Sequence, residues 1–244
     1  MPAIEVARVS KAFRIPHEQR TFLREFFVHP FRHVAYERND ALKDVTLSIE
    51  QGEFFGVIGR NGSGKSTLLR ILAGIYVPDS GTVRVSGLLS PFIELGVGFN
   101  LELNARDNIR INATLAGLSK RELEERFDEI LAFSELERFV DQKLKNYSSG
   151  MLVLLAYSIA IQIPFDVLLL DEVLAVGDEA FQEKCFATFD RFKEEGKTVV
   201  FVSHALELVE RFCDRVLLLQ GGVVETVGPP RAVADLYRER VLVG

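Results

Sequence analysis

Residues 54–67 constrain this chain more than any other stretch: Phe-Phe-Gly-Val-Ile followed by Gly-Arg-Asn-Gly-Ser-Gly-Lys-Ser-Thr. The apolar run has the length and composition of a buried strand, and Gly59, Arg60, Asn61, Gly62, Ser63, Gly64, Lys65, Ser66 and Thr67 fit the pattern G-x-x-x-x-G-K-[ST]. Glycines at these positions let successive backbone N–H groups turn inward. A helix starting near Lys65 adds its positive end beneath them, which makes an anion cradle. A strand, loop and helix of this kind require an α/β fold in which the loop sits at the strand's carboxyl end.

The cradle fits a nucleoside triphosphate, with Lys65 as a point charge on the β- and γ-phosphates and the Ser66 hydroxyl placed to ligate Mg²⁺. A second apolar run, Val167-Leu168-Leu169-Leu170, is bounded by Asp166 and Asp171 and reads as a central parallel strand. Ligands of such sheets bind at the strands' carboxyl ends, so Asp171 is expected to face the Mg²⁺ shell. Glu172 points elsewhere and is positioned to orient or deprotonate a water that attacks the γ-phosphate. A glycine-rich turn without ligand, or an acidic pair that merely ends a strand, would leave the Lys-Ser pair and the carboxylates without a reason.

Tyr147-Ser148-Ser149-Gly150-Met151 precedes a long apolar stretch as a helix N-terminus does, giving the chain a second anion-binding helix end. With the two features above, this string resembles the signature motif of the ABC (ATP-binding cassette) ATPases, in a variant order. The resemblance implies a P-loop NTPase (RecA-like) core with an antiparallel β subdomain and an inserted α-helical subdomain. It also implies ATP and Mg²⁺ as cofactors and a homodimer in which Ser148, Ser149 and Gly150 of one chain close over the nucleotide held by the other. Residue by residue, Tyr36 falls where the family places an aromatic against adenine. Asp178, in Ala175-Val176-Gly177-Asp178, matches the D-loop, and His204, after the apolar run 198–203, matches the γ-phosphate switch histidine.

The pattern departs from the family in two places. The segment expected to hold a Mg²⁺-ligating glutamine reads Phe92-Ile93-Glu94-Leu95-Gly96, so Glu94 is either the substitute ligand or a solvated loop acid. After Met151 the family carries a basic residue, whereas here Leu152-Val153-Leu154-Leu155 is apolar. These departures, together with Leu174-Ala175-Val176-Gly177-Asp178 running into Phe181-Gln182 and Lys184-Cys185, resemble one branch, the ATPase subunits of polysaccharide exporters. That resemblance spans about residues 41–236. It implies ATP hydrolysis that drives a lipid-linked polysaccharide through two copies of an integral membrane subunit, from the cytoplasmic face of the membrane. An exporter of another cargo, a lipid or a drug, is the alternative.

Composition adds bounds. The chain has 244 residues, 48% hydrophobic, enough for one cassette with a helical insertion spanning about residues 100–164. A net charge of −6 argues against nucleic acid as a partner, and this single acidic cassette lacks the second cassette or basic surface of a soluble ribosome- or DNA-directed ABC ATPase. Cys185 and Cys213 show no metal-ligand spacing and read as ordinary thiols. Residues 151–163 are nearly all apolar, but Gln162, Pro164 and Asp166 break the run well short of the ~20 residues of a membrane span, so a buried helix is expected.

Along the chain, 4–13 and 41–49 alternate as edge strands of an antiparallel layer that 80–87 continues. From about 104 to 147 the pattern is helical, with Ser119 and Glu122 forming a capping box, and later strands at 199–202 and 215–219 precede a closing helix near 232–241. Residues 14–37 are an unusual insert in which Phe22, Leu23, Phe26 and Phe27 share a helical face amid arginines. That composition suits either a membrane-side contact or a cover for the cassette's own β-layer. His29 and His33 have helical metal spacing, but Pro30 interrupts the turn, so no site is expected there. Some exporters of the branch append a glycan-recognising C-terminal domain; the chain ends soon after 235–237, so none is expected here.

Overall fold

The computed structural model describes residues 1–16, 36–92, 98–171 and 179–243. Two sheets organise the chain. A three-stranded antiparallel sheet has β1 (Pro2–Pro16) between β2 (Tyr36–Glu50) and β4 (Ser80–Val85). A six-stranded sheet runs in the order β5 (Leu89–Phe92), β6 (Val167–Asp171), β7 (Thr198–Val202), β3 (Phe54–Ile58), β8 (Arg215–Gln220) and β9 (Val223–Gly228). Only its β8–β9 pair is antiparallel. The helices described are α1 (Lys65–Leu72), α2 (Ala105–Leu115), α3 (Lys120–Ser134), α4 (Ser149–Gln162), α5 (Glu179–Glu194), α6 (Leu206–Phe212) and α7 (Pro230–Val243).

The sequence pattern explains which layer each strand joins. β3, β6 and β7 are apolar almost throughout because both faces of a parallel sheet are covered, and all five residues of β3 and of β7 are buried. In β2 only alternate residues, Val45, Leu47 and Ile49, turn inward near its end, so its other face meets solvent. Between the sheets, Ile4, Val6 and Val9 of β1 pack with Phe55 and Val57 of β3 and Leu68 and Leu69 of α1. On the far side, Phe54, Leu168, Leu170 and Phe201 meet Tyr157 of α4 and Phe181 and Phe189 of α5. Each such side chain contributes about 1.5–3 kcal/mol by leaving water.

α2, α3 and the start of α4 enclose a separate core around Ile109, Phe127, Ile130 and Leu155. The Ser119–Glu122 capping box is present: Ser119 Oγ accepts from Glu122 N–H, and the Glu122 carboxylate accepts from Ser119 N–H at 2.9 Å. The helical expectation over 104–147 is corrected beyond α3. Glu135 adopts a left-handed backbone (φ 57) that ends the helix, and only single 3₁₀ turns follow, at Glu137–Phe139 and Leu144–Asn146. The edge-strand reading of β1 is also corrected, since pairing on both sides makes it the central strand of its sheet. Among the described residues no helix is long and apolar enough to cross a membrane. The insert falls almost wholly outside the described residues.

Burial raises the acid groups of the core. Cys185 is pushed up to about 11 and Cys213 to about 12, and Tyr147, whose hydroxyl donates to the Phe139 carbonyl at 2.7 Å, also reaches about 12. The folded chain therefore keeps these protons after the unfolded chain, with thiols near ~8.5 and phenols near ~10, has lost them. Stability is expected to be fully present below about pH 8.5 and to fall as pH rises toward 12. Urea midpoints measured from pH 8 to 11 check this, and the decline should be shallower in Tyr147→Phe.

Candidate functional site

The three strands β3, β7 and β6 set the site through their register. Val202 of β7 pairs with Val57 of β3 on one side and with Asp171 of β6 on the other, so the three lie in one row at the sheet's carboxyl edge. Two residues beyond that row come Gly59, which opens the loop, and His204, which is exposed. Asp171 is half-buried at the end of its strand. Ser203 is buried, and its Oγ accepts from Ala205 N–H at 3.0 Å, fixing the turn that presents His204. Glu172, Asp178 and Glu94 lie outside the described residues.

The loop turns as the glycines predict. A Cβ on Gly59 (φ 154) would stand 2.2 Å from the Leu219 carbonyl oxygen, and one on Gly64 (φ 107) would stand 2.4 Å from that of Ala41. At these two positions the loop therefore lies tight against β8 and β2, with no room for a side chain. Lys65, buried, folds back so that Nζ donates to the carbonyls of Gly59 at 2.8 Å and Arg60 at 3.1 Å. α1 has Gly64 at its N-cap, and among the described residues no side chain caps it and no acidic residue stands in its first turn, so the positive end of the helix points into the loop. Among the described residues Ser63 Oγ, buried inside the loop, has no hydrogen-bond partner, a cost of about 1–3 kcal/mol that a phosphate oxygen would offset. Such an orphaned hydroxyl, an uncapped helix start and a buried ammonium fit a phosphate chain.

Beside the loop opens a cleft of about 340 Å³. Asn61, Gly62 and residues 64–67, including Ser66 and Thr67, form one wall, and Phe13, Asn39 and Ala41 from the β1–β2 hairpin form the other. Tyr36 is not among the described residues that line it. It pairs with Pro16 near the far end of the hairpin and is 62% exposed, whereas Phe13 pairs with Asn39 level with the loop. The aromatic beside the cleft is therefore Phe13. Counting along the chain toward the loop passes through the 14–37 insert and lands on Tyr36; only strand pairing brings Phe13 forward. Its signal in the sequence is an aromatic in the first strand just before the insert.

Ser148 caps α4, its Oγ accepting from Met151 N–H at 3.2 Å, and Ser148, Ser149 and Gly150 are exposed. They stand at the start of α4 and are not among the described residues that line the cleft. α4 itself is apolar on all sides, half-buried from Met151 to Leu154 and buried from Leu155 to Ile161. A second concavity, a groove of about 560 Å³, runs between β5, α2 and α4, lined by Ile75, Pro91, Phe92, Phe99, Leu115 and Ile159 among others. Ile75 and Leu115 are 57% and 76% exposed, so an apolar surface reaches the outside there.

Residues 42–175 match the family described as ABC transporter. Over 98% of its own length and 98% of the relative's, the chain is 41% identical to an O-antigen export system ATP-binding protein of Klebsiella pneumoniae. It is 43% identical to one from Myxococcus xanthus, of which it spans 56%, and 40% identical to a teichoic acids export ATP-binding protein of Levilactobacillus brevis, of which it spans 64%. A solved dimeric ATP-binding cassette in a post-hydrolysis state, bound to ADP and phosphate, superimposes with a TM-score of 0.75 at 25% identity, covering 93% of this chain and 99% of that one. A loop built for phosphate, at the same sheet edge as a strand-end acid, has its explanation in that kinship: the chain belongs to the ABC transporter family.

Proposed function

We propose that the chain is the ATP-hydrolysing subunit of an exporter that moves a lipid-linked polysaccharide across the cytoplasmic membrane. The observation that carries this reading is the 41% identity to the Klebsiella O-antigen export protein over nearly the whole of both chains. The similarity to a teichoic acids exporter supports the same cargo class and gives the lipid or drug alternative no foothold.

In this reading Phe13 lies against the adenine, the N–H groups of residues 60–65 and the Lys65 ammonium hold the phosphates, and Ser66 with Asp171 would hold Mg²⁺, joined by Glu94. Bound there, Mg²⁺ would supply positive charge to the β- and γ-phosphate oxygens. Glu172 accepts the proton of the attacking water, and His204 donates to the γ-phosphate. Exposed Ser148, Ser149 and Gly150 act on nucleotide held by a second copy, with Asp178 facing that copy. The open apolar groove suits docking of one of two integral membrane subunits at the cytoplasmic face.

Co-purification tests the cargo. The chain extracted with its membrane subunit should carry lipid-linked sugar, and adding that lipid to the reconstituted pair should raise ATP hydrolysis. Stimulation by unglycosylated lipids or drugs alone would reject the polysaccharide reading.

A further inference from the structure

β1 outruns one of its neighbours. Its last pair with β4 is Ser10 with Ser80, yet β1 continues to Pro16 with β2 alone beside it. On the side that β4 leaves uncovered, residues 76–79 take over. Asp79 N–H donates to the Ser10 carbonyl at 2.9 Å. Its carboxylate then works twice: Oδ2 accepts from Ala12 N–H at 2.7 Å, and Oδ1 accepts from Lys11 Nζ at 2.9 Å. Lys11 Nζ also donates to the Val77 carbonyl at 2.8 Å. These bonds grip β1 where its pairing with β2 shifts register between Lys11 and Ala12, one residue before Phe13. Charge-assisted bonds of this geometry are among the stronger ones available to an exposed strand.

Tyr76 holds the ring itself. It meets Phe13 edge-on, with centroids 5.5 Å apart and planes at 64°, the arrangement aromatic pairs favour. Over the Tyr76 ring sits the Arg70 guanidinium, 5.6 Å from its centroid. Arg70 belongs to α1, the helix that begins with Lys65 and Ser66. A line of contacts thus runs from the phosphate-binding helix through Tyr76 to Phe13, while Asp79 fixes the backbone beneath that ring. Neither Tyr76 nor Asp79 is among the described residues that line the cleft.

We propose that Tyr76 and Asp79 are positioning residues that set Phe13 over the P-loop cleft and thereby determine how much the base adds to nucleotide affinity. The inference rests on the reading of Phe13 as the base-stacking residue. Their effect reaches ATP only through that ring, so it should disappear for a ligand that has phosphates and no base.

The test uses the full chain, with ATP and inorganic tripolyphosphate as the two probes. Phe13→Ala sets the ceiling, a loss of ATP affinity of roughly five- to fiftyfold with tripolyphosphate binding unchanged. Tyr76→Ala and Asp79→Ala should each raise the ATP KM roughly three- to tenfold, leaving kcat and tripolyphosphate affinity as in the wild type. Tyr76→Phe keeps the ring and should restore the wild-type KM. Added to Phe13→Ala, Tyr76→Ala should have no further effect. If Phe13→Ala leaves ATP binding intact, the stacking reading itself fails. If Phe13→Ala weakens ATP while Tyr76→Ala and Asp79→Ala do not, the positioning role alone fails. Lowered kcat or tripolyphosphate affinity in the latter two variants would show a general structural role and equally overturn the proposal.

Discussion

Glu172→Gln is expected to bind ATP as the wild type does and to hydrolyse it about 10²–10⁴-fold more slowly, the usual worth of a positioned general base. Gln has nearly the shape of Glu and can still hold a water by hydrogen bonding, but it cannot take the water's proton. The phosphate cradle and the Asp171 carboxylate are untouched, so binding and catalysis should separate. ATP affinity by calorimetry and phosphate release under saturating ATP measure the two independently. If two copies close over bound ATP and part only once it is hydrolysed, the variant should also accumulate as an ATP-bound dimer on size-exclusion chromatography. Undiminished phosphate release would remove Glu172 from the mechanism.

Lys65→Ala should abolish measurable ATP binding at micromolar concentrations. The Lys65 ammonium lies buried against the Gly59 and Arg60 carbonyls, and without it those oxygens would face the phosphates uncompensated. One such charge about 4 Å from a phosphate, at the effective dielectric of a protein surface, is worth a few kcal/mol, roughly a 10²–10³-fold weakening. The same variant tests the two-chain site. Gly150→Asp puts a carboxylate at the start of α4, where it would repel the partner's nucleotide while its own P-loop stays intact. Both pure variants should be inactive. Mixed one to one, half of the dimers are hybrids with one sound composite site out of two, so about a quarter of wild-type hydrolysis should return. No recovery, with hybrids verified by orthogonal tags, would count against sites that work independently across two chains.

The features legible in the sequence were those whose chemistry is local. Gly59 to Thr67, the apolar strand before Asp171 and the Ser119–Glu122 box are each fixed by residues a few positions apart, and the fold places them as the spacing implies. Phe13 was hidden because its place depends on pairing with Asn39 across the whole insert. The central position of β1 was likewise hidden, since alternation reports which face is buried and not how many neighbours a strand has. Asp79 reads in the sequence as an ordinary turn residue before Ser80-Gly81. Its grip on Ala12 and Lys11 arises only when the strands assemble. The apolar groove is assembled from stretches far apart in the chain, from Ile75 to Ile163, none of them unusual alone.

α4 belongs to two cores at once. Leu155 and Ile159 sit among the side chains of α2 and α3, while Tyr157 and Ile161 sit among those of the six-stranded sheet and α5, with the Tyr157 ring packed on Phe92 of β5, Phe133 of α3 and Phe181 of α5. A rod shared in this way ties the helical region to the parallel sheet, and the same rod carries both functional surfaces. Ala156 and Ala160 line the apolar groove, while Ser148, Ser149 and Gly150 stand at its start. In the proposed reading, a subunit docked in the groove would therefore press on the one element that also meets the second copy's nucleotide, without touching the P-loop.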